Sequence, residues 1–395
     1  MRNLRRVGLG VGIGALVLAL AAPSAAANNR TGQVTLTGWA SLPAATFVSA
    51  SDPSGALLGG TPSNGITPPF DDQPIQGFSG IVKNGDGTFD VISDNGYGNK
   101  ANSGDFVLRI HHLAPDYGKK TVDVLGGINL TDPNKFVPFA LTRPDRVLTG
   151  ADFDIESIQR VKDGSYWIGD EFGPYLLHFD RAGRLLQAPI SLPGVRAPEN
   201  PEGNPNLNSS KGFEGLAQSP DGRTLYPLLE GTVAGDPAGA LRFNEFNVAK
   251  RQYTGKFYTY QLEDPANSIG DAIAVDDDRF LVIERDNGQG ATAKFKKIYL
   301  ADKRDRNRDG KMDKTVVADL LNIADPRHLF SSADVFTFPF QTIEDVVILD
   351  DRTLGVVNDN NFPFSSGRTA GQPDNDEFIT IRLADNLHAD PRVLK

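Results

Sequence analysis

The chain has 395 residues, with 40 Lys and Arg against 50 Asp and Glu, which gives a formal net charge of −10 at pH 7. This acidic balance argues against nucleic acids and anionic membrane surfaces as partners, and it suits the binding of cations. The sequence contains no cysteine, which excludes disulfides. The stability of the fold must therefore come from bound ions or from a large core, for which this length is sufficient.

The N-terminal residues predict a secretory signal peptide. Three arginines precede an uninterrupted apolar run at residues 7–22, and Ala25–Ala27 supplies small residues for cleavage. A membrane anchor is the alternative, but the run is short and no stop-transfer charges follow it. We therefore expect a signal peptide at residues 1–27, cleavage near Ala27, a secreted product and no stable membrane anchoring. The choice between general and twin-arginine export stays open.

A strand–turn–strand pattern recurs five times along the chain. Each copy has an apolar strand, a tight turn rich in Asp and Gly, and a second apolar strand, with an acidic or polar residue at either end. Self-similarity of this kind is typical of repeat architectures. The copies span residues 79–94, 156–170, 214–230, 271–284 and 344–359.

The segments between the copies also predict strands, because they are rich in β-branched and aromatic residues and are bounded by turn formers. Since no segment shows a convincing helical period, we predict an all-β fold, a β-propeller built from four-stranded blades. Five blades are visible and a sixth, degenerate blade stays open. The strand at residues 33–43 is expected to complete the last blade and close the ring, so that residues 28–395 form one domain. Surface loops are predicted at residues 51–76, 134–150, 198–211 and 362–376.

The residues that flank the repeats predict a functional face. In antiparallel neighbours, the start of the first strand and the end of the second lie at the same edge, so both sets are expected around the central channel. The starts carry Ser79, Glu156, Glu214, Asp271 and Glu344, and the ends carry Asp94, Asn95, Asp170, Glu171, Glu230, Glu284, Arg285, Asn358 and Asp359.

So many carboxylates cannot all stay ionised close together without a cation, because like charges raise each other's pKa. Oxygen ligands in this number suit Ca²⁺ best, and a bound cation can position and deprotonate water. Arg285 is the one cation in the set and could hold an anionic group through two hydrogen bonds. The alternative is that each acid accepts hydrogen bonds from the next blade and only locks the ring.

A second ion site is predicted at residues 305–313. Asp305, Asn307, Asp309 and Asp313 match the first nine positions of a calcium-binding loop, with a glycine at the sharp turn. The match is incomplete, because Val316 stands where the loop requires a bidentate Glu and basic residues are interleaved. A solvated turn is the alternative. In either case the segment lies between outer strands, so we expect a role in stability.

Other hydrolytic machinery is not indicated by the sequence. None of the five histidines lies beside a repeat acid, and no G-x-S-x-G motif occurs, which disfavours a Ser-His-Asp hydrolase. Zinc is disfavoured by the absence of cysteine and of suitably paired histidines.

Several motifs resemble the phytase-like family of secreted bacterial proteins, described as having esterase-like activity of phytase. The motifs are GFSGIV (77–82), SDNGYG (93–98), DIESI (154–158), GDEFGPYLLHFD (169–180), KGFEGLA (211–217), DAIAV (271–275), IERDNGQG (283–290) and DRNRDGKMDKT (305–315). The resemblance covers roughly residues 75–385. It implies a propeller-type domain whose repeated Glu and Asp form the enzymatic site, and hydrolysis of phosphoesters or esters.

The leading hypothesis is a secreted, calcium-dependent hydrolase of phosphate esters or related esters, a monomer that acts on a small molecule. A propeller lactonase-like hydrolase and a non-catalytic, calcium-stabilised binding module are the alternatives. The expected roles are catalysis for Glu156, Glu214, Asp271, Glu344, Asp170 and Glu171, substrate binding for Arg285, Asn95 and Asn358, and metal binding for Asp305, Asn307, Asp309, Asp313, Asp94, Glu230, Glu284 and Asp359.

Overall fold

The structure of the chain is a computed structural model that describes residues 33–395 and Met1. Apart from Met1, the predicted signal peptide falls on residues outside this described part. Two three-residue 3-10 turns, Ala56–Leu58 and Gly290–Thr292, are the helical elements among the described residues, so the fold is all-β as predicted. None of the helical segments that the structure describes is long and apolar enough to cross a membrane.

Twenty-two strands follow one another along the described chain. They are β1 (Thr35–Leu42), β2 (Phe78–Lys83), β3 (Phe89–Ser93), β4 (Arg109–Asp116), β5 (Thr121–Asn129), β6 (Ile155–Arg160), β7 (Tyr166–Asp170), β8 (Tyr175–Phe179), β9 (Ile190–Ser191), β10 (Phe213–Gln218), β11 (Thr224–Leu229), β12 (Ala240–Asn247), β13 (Gln252–Gln261), β14 (Ser268–Ala274), β15 (Arg279–Arg285), β16 (Lys296–Asp302), β17 (Asp313–Asp319), β18 (Ile323–Ala324), β19 (Val335–Phe336), β20 (Thr342–Asp350), β21 (Thr353–Asp359) and β22 (Asp376–Arg382).

Most of these strands belong to four-stranded antiparallel groups. Three separate sheets have the orders β6-β7-β8-β9, β10-β11-β12-β13 and β14-β15-β16-β17. A ten-stranded sheet contains two further groups, β2-β3-β4-β5 and β1-β22-β21-β20, joined by one parallel pair, Ser41 with Thr121. The N-terminal strand β1 is thus the fourth strand of the group formed by β20, β21 and β22, and it pairs antiparallel with β22 from Thr35–Arg382 to Leu42–Asp376.

One edge strand of each group, β2, β6, β10, β14 or β20, lies against the corresponding edge strands of two other groups. β2 contacts β6, β6 contacts β10, β10 contacts β14, β14 contacts β20, and β20 contacts β2. We call these five the inner strands. Apolar cores fill the space between neighbouring groups: Tyr226 and Phe243 pack on Phe280 with ring centroids 5.1 and 4.7 Å away, and Phe78 lies 6.0 Å from Phe378. The last contact joins the first group to the last.

Every inner strand contains a β-bulge near its start. The pairing register shifts between Phe78 and Gly80 in β2, and the same shift occurs in the other four inner strands. The residue inside the shift is left unpaired, and a bulge re-aims the side chain there. The five residues at this bulge position are Ser79, Glu156, Glu214, Gly270 and Glu344.

In the fourth repeat, the predicted alignment of the repeats was wrong by one residue. The sequence aligned Asp271 with Glu156 and Glu214, but the residue at the bulge position is Gly270. A side chain has no room there, because a Cβ on Gly270 would lie 1.9 Å from the carbonyl oxygen of Ile343 in the next inner strand. This repeat therefore contributes no acid from its bulge.

Candidate functional site

Two positions of each inner hairpin lie at one end of the inner strands. The first is the bulge residue. The second, which we call the exit residue, belongs to the other strand of the hairpin or follows it directly. In the second repeat, Ile155 precedes the bulge and pairs with Asp170, and the exit residue is the next residue, Glu171. The exit residues of the other repeats are defined in the same way. The five exit residues are Asp94, Glu171, Glu230, Arg285 and Asp359.

These positions surround a cavity of about 180 Å³ at the end of the inner strands. Among the described residues, its lining contains all five exit residues and three of the bulge residues, Glu156, Glu214 and Glu344. Further lining residues include Asn95, Asp154, Ser210, Lys211, Thr342 and Asn361. The lining has eight acids (Asp94, Asp154, Glu156, Glu171, Glu214, Glu230, Glu344 and Asp359) and two cations (Lys211 and Arg285).

Carboxylate oxygens converge at two places in this cavity. In the first triad, Asp154, Glu156 and Glu171 each offer an oxygen within 4.8 Å of the others. In the second triad, Glu171 is shared with Glu214 and Glu230, at the same spacing. All five side chains are buried, and the Oε1 atoms of Glu171, Glu214 and Glu230 have no hydrogen-bond partner. Buried oxygens without a partner carry a desolvation penalty that a cation at this place would remove.

Asp154 is held in place by its neighbours at the edge of the first triad. Its Oδ1 accepts hydrogen bonds from Nδ2 of Asn95 at 2.6 Å and from the backbone N–H of Asn95 at 3.2 Å. Its Oδ2 accepts a hydrogen bond from the hydroxyl of Ser210 at 3.0 Å. Asn95 therefore orients an acid of the cavity.

Arg285 lies among the carboxylates on the other side of the cavity. Its Nη2 donates to Oε1 of Glu344 at 2.8 Å and lies 3.7 and 3.8 Å from the Oε1 atoms of Glu230 and Glu214. Its Nη1 donates to Asn287 at 3.0 Å. The guanidinium is thus surrounded by the protein's own acids and is 6% exposed.

Two further contacts hold Glu344 and Glu230 on the Arg285 side of the cavity. The hydroxyl of Ser79 donates to Oε2 of Glu344 at 3.0 Å, so the bulge residue of the first repeat positions that of the last. Lys211 forms an ion pair with Oε2 of Glu230 from the rim of the cavity.

Burial and like charges raise the pKa values of the cavity acids. Desolvation raises the pKa of Glu156 well above its ordinary value, and the charges of Asp154 and Glu214 raise it further. The pKa values of Glu171, Glu214 and Asp94 are raised well above normal for the same reasons, burial first. Burial and the charge of Glu344 raise the pKa of Asp359 to about 8. Near neutral pH, these acids favour binding of protons or of a cation.

Five residues of the predicted ring do not line the cavity, which corrects the expectation that they all surround it: Ser79, Asp170, Asp271, Glu284 and Asn358. Ser79 acts on the cavity only through its hydrogen bond to Glu344. Asp170 and Asp271 act as backbone struts. Asp170 accepts hydrogen bonds from the N–H groups of Asp154 and Gly173, both at 2.8 Å. Asp271 accepts from Ala272 at 2.7 Å and from Val346 of the next inner strand at 3.1 Å.

The other two residues of this set face the outer strands. Glu284 accepts hydrogen bonds from the hydroxyl of Tyr260 at 3.0 Å and from Nζ of Lys314 at 2.7 Å. Asn358 accepts from the N–H of Glu377 at 2.7 Å. Successive side chains of a strand point to opposite faces, so the residue directly before each exit residue is turned away from the cavity.

The sequence did not single out Asp154, Ser210, Lys211, Thr342 or Asn361 as site residues, although all five line the cavity. A signal existed for two of them. Asp154 and Thr342 stand two residues before the bulge residues Glu156 and Glu344, at the edge where the cavity lies. Ser210, Lys211 and Asn361 belong to connecting segments, where no periodicity indicates the direction of a side chain.

The segment at residues 305–313 forms a self-bonded turn at the surface. Asp305 accepts hydrogen bonds from the N–H groups of Asp309 and Gly310, both at 3.0 Å, and Asp313 accepts from Arg306 at 2.9 Å. Asn307 accepts from the N–H of Asp309 at 3.0 Å. Among the described residues, groups of three acids with converging oxygens occur in the cavity and not in this turn. Calcium binding by this segment stays a prediction.

The fold and the cavity define an all-β protein with a buried, acid-lined site at one end of its inner strands. Comparison with known families matches residues 73–362, more than half of the chain, to the phytase-like family, described as esterase-like activity of phytase. The chain belongs to this family.

Individual relatives match this chain over a short segment or at low sequence identity. A protein of Arthroderma benhamiae described as an uncharacterized secreted protein is 35% identical over 115 residues, which is 23% of this chain and 22% of the relative. The luciferin-regenerating enzyme is similar in structure over 79% of this chain and 78% of its own, with 11% identity and a TM-score of 0.39. A protein from Lactobacillus plantarum is similar over 81% and 92%, with 13% identity and a TM-score of 0.38.

Proposed function

We propose that this chain is a secreted, calcium-dependent hydrolase of phosphate esters or related esters, with its active site in the acid-lined cavity. The observation that carries the proposal is the first triad, in which three buried carboxylates converge within 4.8 Å and Oε1 of Glu171 has no partner. Membership of the phytase-like family supports the class of reaction. The export signal predicted at residues 1–27 supports secretion.

The donor set of the first triad fits a hard cation. Asp154, Glu156 and Glu171 supply only oxygen, and no cysteine occurs in the sequence. Oxygen ligands in number are the preference of Ca²⁺, whose flexible coordination tolerates the unequal reach of Asp and Glu. A bound calcium ion lowers the pKa of water and neutralises charge on an ester. We assign the ion to these three residues and a separate stabilising ion to residues 305–313.

Other residues of the cavity orient a ligand of the ion, transfer protons and bind the substrate. Asn95 and Ser210 fix both oxygens of Asp154, so that this carboxylate is oriented before an ion binds. Asp359 has a pKa of about 8 and lines the same cavity, so near neutral pH it can take a proton from water or return one to a leaving group. Lys211 at the rim is the cation best placed to meet an anionic substrate.

We further propose that the five four-stranded groups form a five-bladed propeller closed by β1. The support is the cycle of contacts among the inner strands and the pairing of β1 with β22. In such a ring, each group presents its exit residue to the central channel, which accounts for the five exit residues around the cavity.

One observation favours a second candidate, a hydrolase of uncharged esters such as lactones. Eight acids and two cations line the cavity, and Arg285 is already engaged by carboxylates. An anionic substrate would meet repulsion from this lining unless a bound cation compensates it, whereas an uncharged ester would not.

Turnover of a small panel tests both candidates. Phytate, a phosphodiester, a simple ester and a lactone are incubated with the full chain, with calcium and with a chelator. The first proposal expects calcium-dependent release of phosphate or alcohol from the phosphorylated substrates. Turnover limited to the lactone supports the second candidate. No turnover of any substrate, in a chain that binds calcium and is folded, would overturn both and leave a binding module.

A further inference from the structure

The fourth repeat differs from the other four at both positions that face the cavity. Four exit residues are acids, whereas the fourth repeat has Arg285. Four bulge residues carry a polar or acidic side chain, whereas the fourth repeat has Gly270, where a Cβ would collide with Ile343. The repeat therefore contributes no acid at either position and adds one cation to the ring.

Arg285 lies close to the second triad. Its Nη2 is 3.8 Å from Oε1 of Glu214 and 3.7 Å from Oε1 of Glu230, and neither oxygen has a hydrogen-bond partner. These oxygens belong to the side chains that converge with Glu171. An arginine keeps its charge at every accessible pH, so the positive charge at this place is permanent.

In the described part of the chain, the first triad has no cation paired with it, although the charge of Lys211 acts to lower the pKa of Glu171. Among the described residues, no Lys, Arg or His forms an ion pair with Asp154, Glu156 or Glu171. Glu171 belongs to both triads. Its carboxylate can therefore bind an ion in one triad, or bridge two ions if both triads are occupied. The two groups of carboxylates thus have similar spacing, but the second has Arg285 and Lys211 beside its members and the first has no paired cation within the described part.

We propose that Arg285 takes the place of a second metal ion, so that the cavity binds one calcium ion, in the first triad, and excludes one from the second. The inference rests on the cation site of the proposed function. Repulsion by the fixed guanidinium and its contacts with Glu214, Glu230 and Glu344 make the second triad unavailable to a divalent ion. Arg285 is then a determinant of metal stoichiometry.

Calcium stoichiometry tests this inference without any assay of activity. The full chain is stripped with a chelator, dialysed against Ca²⁺ and analysed for bound ions per chain, with titration calorimetry in parallel. Arg285→Gln removes the charge and keeps a polar side chain, so the count should rise by one ion per chain. Arg285→Lys keeps the charge, and its count should equal that of the parent. An Arg285→Gln chain that is folded and binds the parental number of ions would overturn the inference.

Two further variants separate the possible failures. Glu156→Gln should lower the count by one in both the parental and the Arg285→Gln chains; if it lowers neither, the proposed cation site itself is wrong. If Arg285→Gln does not fold, Arg285→Gln combined with Glu344→Gln restores the charge balance and leaves the second triad intact. The double variant should still bind the additional ion, and the parental count in this folded double variant would also overturn the inference.

Discussion

Glu156 combines three properties that matter for catalysis. It occupies a bulge position, it belongs to the first triad, and its pKa is raised well above normal by burial and by the charges of Asp154 and Glu214. A cation that binds there must displace any proton that Glu156 carries. The affinity for calcium should therefore increase with pH.

We predict that Glu156→Gln lowers calcium-dependent turnover by about 100-fold or more, because the amide keeps the volume of the side chain but lacks the charge that holds the ion. Glu284→Gln is the matched control, since Glu284 is a buried acid of an inner hairpin that is paired with Lys314 outside the cavity. The control should lose stability and keep its turnover. Steady-state kinetics and thermal melts measure the two effects, and full turnover of Glu156→Gln would contradict the assignment.

Gly270 shows that a missing side chain can also be a structural requirement. A Cβ at this position would lie 1.9 Å from the carbonyl oxygen of Ile343, so Gly270→Ala must push two inner strands apart. We predict a loss of about 2–4 kcal/mol in the free energy of unfolding, measured with urea. Gly85→Ala is the control, because a Cβ on Gly85 meets no atom within 4 Å. Equal stabilities of the two variants would refute the close approach.

At the scale of the hairpin, an acid can lock neighbouring inner strands together. Asp271 joins β14 to β20 through Val346, and it also accepts the N–H of Ala272. Burial raises its pKa to about 7. This is the ring-locking role that the sequence left open for all the acids, and the structure assigns it to a residue outside the cavity.

We predict that Asp271→Ala destabilises the fold by about 2–3 kcal/mol, because two buried N–H groups lose their acceptors. Asp271→Asn keeps one acceptor and should cost less. Both variants should retain the calcium-dependent turnover of the folded protein. A variant of unchanged stability that has lost turnover would place Asp271 in the site after all.

The hairpins were predictable from the sequence, whereas the choice between neighbouring residues within them was not. The repeat pattern located all five inner hairpins, but it named both Asp170 and Glu171, and both Glu284 and Arg285, as site residues. A shift of one residue moves a side chain to the opposite face of a strand. The bulges that decide the register leave no mark in apolar periodicity, so only the strand pairing shows that Glu171 and Arg285 face the cavity.

At the scale of the whole molecule, the buried acids make stability depend on pH. The folded-state pKa values of Asp170 and Asp359 are about 8, while an unfolded Asp has a pKa of about 3.9. Between these values, the folded chain binds more protons than the unfolded chain. These two groups therefore lower the free energy of unfolding of the metal-free protein as the pH rises from about 4 to about 8.

We predict that calcium stabilises the protein more at pH 8 than at pH 5, because the ion binds the deprotonated acids and stabilises the state to which it binds. The measurement is the melting temperature at both pH values, with calcium and with a chelator. Metal-free stability that increases across this pH range would show that the acids of the cavity are not protonated in the folded state.

The pairing of β1 with β22 sets the order in which the protein can be built. Thr35 meets Arg382, so the earliest strand of the fold waits for one of the last to be synthesised. Contacts between such distant parts of a chain raise the contact order and slow folding. Until β22 exists, the nascent chain presents an unpaired strand edge to other molecules, which is a hazard for aggregation. The group of strands that contains β1 therefore cannot be completed before β22 is available.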